Sequence, residues 1–179
     1  SLHDALPIYA EQLVPMIAAL PGKGKAERIA VAVGPGSFTG VRVGLAAARA
    51  LAFAWGAELV GYPTLALVAA MARAQHPGAP VSVAMTGGHG EWFVQQFGGD
   101  GTPLEPLASY AAATATAQVG LELVAGSQAE ALVAARGWGT ALPLWPDARC
   151  FAQLGAHQLS RDTTPLYGRA PDARLPGAA

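Results

Sequence analysis

The period of the apolar positions changes several times along the chain, and each change marks an element. From Tyr9 to Leu20, residues Leu13, Met16, Ile17 and Leu20 recur at i, i+3, i+4 and i+7, the spacing of an amphipathic helix that Pro21-Gly22 ends. "RIAVAVG", Arg28 to Gly34, reads as a short buried strand. Thr39 to Trp55 returns to helical spacing and stops at Gly56. Glu58 to Val60 is a brief strand, and Thr64 is the expected N-cap of a helix running to about Ala74, before "HPGAP".

Beyond Pro80 the pattern alternates. "VSVAMT" (Val81 to Thr86) and "EWFVQQF" (Glu91 to Phe97) read as strands of a hairpin turned by Gly87-Gly88-His89-Gly90. A low-complexity Ala/Thr run covers Ala111 to Ala117, and "ELVAG" (Glu122 to Gly126) reads as a strand. Helices are expected over about Gln128 to Arg136 and Asp147 to Leu159, followed by a turn-rich tail with mobile final residues. The alternation predicts an α/β fold with a mixed second sheet.

Composition narrows the functional classes. Of 179 residues, 52% are hydrophobic and 13% charged, enough to bury a sizeable core. A net charge of −1 lacks the basic excess of an independent nucleic-acid binder. Cys150 is the only cysteine, so neither an internal disulfide nor a zinc cluster is expected, which fits a reducing cytoplasm. The most apolar run, Val41 to Val60, holds Arg42, Arg49 and Glu58, each costly in hydrocarbon, so no membrane role is expected.

The glycine loop Gly34-Pro35-Gly36-Ser37-Phe38-Thr39-Gly40 leaves two chemistries open. A strand-to-helix glycine loop presents free N–H groups at a positive helix end and suits an anion. A nucleotide P-loop ends in Gly-Lys-Ser/Thr, however, and the dinucleotide fingerprint places its third glycine where Thr39 stands. The other reading is a turn, with Gly34 and Gly36 supplying unusual torsions, Pro35 stiffening it, and Ser37 or Thr39 capping the helix. Downstream, Gly40, Gly44, Ala47, Ala48 and Leu51 form a small-residue stripe suited either to intramolecular packing or to a partner helix.

"GPGSFTGVRVGLAAARALA" closely resembles the signature of the TsaB (YeaZ) family of tRNA threonylcarbamoyladenosine biosynthesis, with Arg42 inside the motif. "AEQLVPMI" is similar to that family's first helix and "PLYGRAPDA" to its Pro-x-Tyr-x-Arg ending. Thr86 and Gly88 stand where relatives carry an acidic and a basic residue. The resemblance implies a two-lobed, actin-like ATPase (ribonuclease H-like) fold. It implies a non-catalytic partner of a TsaD-type catalytic subunit, which works with a TsaE-type ATPase to modify adenosine 37 of tRNA. ATP and metal belong to the partner subunit in that reading, no cofactor binds this chain alone, and tRNA is met only through the complex. Helices Tyr9 to Leu20 and Thr39 to Trp55 then become the partner interface, through Leu13, Met16, Ile17, Leu20, Gly40, Gly44, Ala47, Ala48 and Leu51. In the absence of the partner a homodimer could use the same helices.

No catalytic group emerges: His3, His76, His89 and His157 form neither a His-x-x-x-His pair nor a His-Glu-x-x-His motif. The rival reading is an independent ATPase or small-molecule kinase of the same fold. Family members open with strands that this chain lacks, and "ALPI" resembles the translated end of a sequencing adapter. The expected organisation is therefore an artefactual segment 1–8, the remainder of a first lobe lacking its first three strands over 9–79, and a second lobe with the tail over 80–179. An exposed sheet edge and poor expression or aggregation are expected to follow.

Overall fold

The computed structural model describes residues 11–168. Residues 11–18 are helical (α1), and a 3-10 turn, Pro21–Gly24, folds back so closely that a Cβ on Gly24 would lie 2.7 Å from Ile17 Cγ2. Strand β1, Arg28–Gly34, leads through the glycine loop into α2, Phe38–Trp55. Strand β2, Glu58–Pro63, and helix α3, Thr64–Gln75, complete the first half. β1 and β2 pair in parallel, from Arg28 opposite Glu58 to Ala32 opposite Tyr62. The unit β1–α2–β2 is thus a crossover with one helix laid on a two-stranded sheet.

The second half builds a five-stranded mixed sheet in the order β5-β4-β3-β6-β7. Its strands are β3 Val81–Thr86, β4 Glu91–Phe97, β5 Ala108–Ala111, β6 Leu123–Ala125 and β7 Thr140–Leu142. The β3–β4 hairpin runs in register from Val81 opposite Phe97 to Thr86 opposite Trp92, as the alternation predicts. Helices α4, Ala112–Gln118, and α5, Ala129–Arg136, follow β5 and β6.

Alternation along β3 divides the core. Val81 and Val83 face α3, joining Leu65, Val68, Ala69, Ala72, Phe93 and Phe97. Ala84 faces the other way, with Val94, Ala115, Val124, Ala129 and Leu132. Ser82 shares that second direction and is fully buried, its hydroxyl donating to Gln96 Oε1 at 3.3 Å. Helix α3 contacts β1 and β2 as well as β3, β4 and β6, and is buried along most of its length. It therefore touches both sheets.

Three sequence expectations change, and the Ala/Thr run, for which the pattern offers no element, gains one. Thr64 is the first residue of α3 rather than its cap; Pro63 precedes it and contributes no capping side chain. The strand from Glu58 continues to Pro63 because Gly61 and Tyr62 extend the ladder. The Ala/Thr run is ordered, as the end of β5 and the helix α4. Asp147 to Leu159 is not one helix but two 3-10 turns, Ala148–Gln153 and Ala156–Gln158. Asp147 caps the first through Arg149 N at 2.9 Å, while Gln158 is drawn out of line to donate to Gly101 O at 3.0 Å. The end of the expected mobile tail and the start of the expected first helix lie outside the described residues.

Candidate partner interface

The glycine loop is closed by the protein's own C-terminal segment. Gly34 has φ +107°, a conformation open to glycine, and a Cβ there would lie 2.5 Å from the carbonyl oxygen of Leu166. Leu166 N in turn donates to Val33 O at 2.7 Å. Ser37 is the N-cap of α2: its Oγ accepts from Gly40 N at 3.4 Å and its carbonyl from Val41 N at 2.9 Å. The Gly34-Pro35 bond is cis, and Pro35 is buried. These features favour the turn over the phosphate cradle.

Arg42 and Arg49 lie along one flank of α2 and both are engaged. The Arg42 guanidinium stands 3.6 Å over the Phe38 ring and its Nε donates to Tyr167 Oη at 3.0 Å. Arg49 Nη2 donates to the Thr163 carbonyl at 2.8 Å. Nearby, Glu58 ties β2 to β1 through Arg28 at 2.7 Å and to Arg161 at 3.0 Å. The hydrogen bond from Arg28, and then that from Arg161, holds the Glu58 carboxyl below the ordinary glutamate range.

The remaining surface of α2 is apolar. The helix contains no acidic residue and no lysine, and Leu45, Ala48 and Ala52 turn inward. Ala46, Ala50, Phe53 and Ala54 face outward, and Phe53 is 91% exposed. Of the expected stripe, Gly40 is exposed, Gly44, Ala47 and Leu51 are half-buried, and Ala48 is only 6% exposed. Ala48 thus belongs to the face packed on the sheet, since it lies one turn from Leu45 and Ala52. Gly44 is open: a Cβ there meets nothing within 4 Å. Met16 on α1 (64%) and Leu20 just beyond it (55%) are exposed, while Leu13 and Ile17 are half-buried. The Phe53 face escaped the stripe pattern, which followed the small residues around the other side of the helix.

A cleft of about 340 Å³ lies between the sheets, lined by Val33, Ala66, Phe97 and Leu166 with Gln95 and Asp162. Of its polar side chains, Gln95 donates to Glu105 O, and Asp162 accepts from Thr164 N and Oγ1, while His157 also lines the wall. Thr86, at the position that departs from the family pattern, joins a neutral cluster in which Ser127 Oγ lies 3.1 Å away and Gln128 Nε2 donates at 2.8 Å. Among the described residues no group of His, Cys, Asp and Glu is arranged to hold a metal ion.

Residues 9–156 match the family described as TsaD: tRNA N6-adenosine threonylcarbamoyltransferase. The chain belongs to the TsaD family. Among solved structures, YeaZ from Pseudomonas aeruginosa is similar with a TM-score of 0.66 and 22% identity, over 82% of this chain and 75% of that one. An uncharacterized protein with similarity to peptidase YeaZ, also from Pseudomonas aeruginosa, gives 0.64 and 23% over 81% and 74%. Within the TsaD family, therefore, this chain has the α/β fold of the YeaZ structures. No helix among the described residues is long and apolar enough to cross a membrane.

Proposed function

We propose that this chain is a non-catalytic partner subunit of a tRNA N6-adenosine threonylcarbamoyltransferase complex, scaffolding a TsaD-type catalytic subunit in the cytoplasm. The observation that carries the reading is the outward, apolar side of α2 around Phe53, on a helix without acidic residues or lysine. Such a surface on a monomer marks an interaction site. Gly44, nine residues before Phe53, lies about half a turn around the helix from it, on a separate half-buried flank where a built Cβ meets nothing within 4 Å. In this reading ATP and metal are held by the catalytic subunit, a TsaE-type ATPase joins the complex, and tRNA is met through it. The closed glycine loop favours this role over an independent ATPase or kinase.

Co-purification with a TsaD-type subunit tests the proposal. Ala46→Glu and Phe53→Asp, seven residues apart on one exposed side of α2, place charge on the open face and are expected to abolish the complex while leaving the isolated chain folded. Ala48→Glu is unsuitable for this purpose, since Ala48 is buried beneath the helix. Retention of the complex by both charged variants would exclude this face as the contact.

A further inference from the structure

Residues 160–168 form a strap from the second sheet to the first. It departs from the turn Ala156–Gln158, anchored by Gln158 on Gly101 O, and its first rung is reciprocal: Gly61 N to Ser160 O at 2.7 Å and Ser160 N to Gly61 O at 3.0 Å. Its last rung is Leu166 N to Val33 O. Between these, Arg49 holds the Thr163 carbonyl, and Asp162 closes a local turn onto Thr164. At the end, the Tyr167 ring lies 5.5 Å from that of Phe38, with Arg42 against both. Gly61, like Gly34, leaves the path clear; a Cβ there would lie 3.3 Å from Asp162 O.

Two properties of the strap stand together. Its side chains are largely exposed, so its hold consists of three backbone rungs to Gly61 and Val33, the Arg49 hydrogen bond, the Arg161–Glu58 ion pair and one aromatic–guanidinium stack, contacts of low individual strength. A segment held in this way opens at a much smaller free energy than the core. Yet it reaches both ends of the turn into α2, through Leu166 at Val33 and Gly34 and through Tyr167 at Phe38 and Arg42, while Phe38, Thr39 and Gly40 stay exposed with it in place. We propose that the strap is a latch: its docked state orders the Gly34-to-Arg42 turn and the start of α2, and its release loosens them. Resting further on the reading of α2 as a partner helix, a partner that binds the ordered helix also tightens the strap, because the coupling is reciprocal.

Hydrogen exchange on the full chain tests the latch. In Tyr167→Ala, amides from Val41 to Leu45 are expected to exchange about tenfold faster, while the β3–β4 hairpin keeps its protection. Tyr167→Phe, which keeps the ring and loses the hydroxyl, gives a smaller rise of about threefold. Unchanged exchange over Val41 to Leu45 overturns the latch, and so does an equal loss in the hairpin, which would make the strap part of the global core. In a second arm, saturating TsaD-type subunit is expected to slow exchange over 160–168 at least fivefold. Binding without that slowing overturns the coupling, whereas failure of the unmodified chain to bind strikes the functional reading and leaves the first arm to decide the latch.

Discussion

The carbonyl oxygen of Leu166 lies 2.5 Å from where a methyl group on Gly34 would stand. The two residues are far apart in sequence, yet the close approach makes the glycine obligatory on two grounds, its φ of +107° and the lack of space. Gly34→Ala is expected to lower stability by about 3 kcal/mol, read as a reduced urea midpoint at unchanged slope.

Gly44 gives the opposite outcome. It sits within α2 with nothing near its missing Cβ, so alanine there adds helix propensity without a clash. Gly44→Ala is expected to stabilise the isolated chain by about 0.5–1 kcal/mol, seen as a higher melting temperature. A destabilised variant would show that space at Gly44 is filled in solution.

Phe53 is nearly bare, so removing it costs little packing. Phe53→Asp is expected to change stability by less than about 0.5 kcal/mol. It is also expected to raise soluble yield and shift sizing profiles away from self-association, because it interrupts an apolar surface. Unchanged self-association would place the sticky surface elsewhere. By contrast Phe97, fully buried between α3 and the second sheet, is expected to cost about 3–5 kcal/mol as alanine in chemical denaturation.

Acid weakens the join between β1, β2 and the strap. The carboxyl of Glu58 is held below its ordinary range by Arg28 and Arg161, so its contribution is fully present above the unfolded value, near pH 4.3, and is lost as pH falls through the lower folded value. Protection over 160–168, taken relative to the intrinsic amide exchange rate at each pH, is expected to fall in that acidic window, and Glu58→Gln to flatten the dependence. An identical pH profile in the variant would assign the effect to another group.

Legibility in the sequence follows the reach of the interactions. The hairpin from Val81 to Phe97 was readable to the residue because alternation and a glycine-rich turn are local signals. The end of α2 at Gly56 was readable for the same reason, the glycine being left-handed there at φ +64°. β7 has only three residues, Thr140–Leu142, too few to show a period, and its place beside β6 is set by pairing. The segment after Asp147 has helical-looking apolar spacing, but Gln158 reaching to Gly101 overrides it. In the candidate site, the glycine loop and α2 were visible as motif and helix. That the two α2 arginines hold the strap was not, since Arg42 and Tyr167 are 125 positions apart.

That separation also orders events during synthesis. Arg49 waits 114 residues for Thr163, and Arg42 waits 125 for Tyr167, by which point the second sheet has already left the ribosome. Domains fold as the chain emerges, from the N-terminus onward. Here α2 is finished by residues made more than a hundred positions later, so a nascent chain from which residue 142 has emerged and residue 160 has not carries a complete second sheet and an α2 whose two arginines still lack their partners.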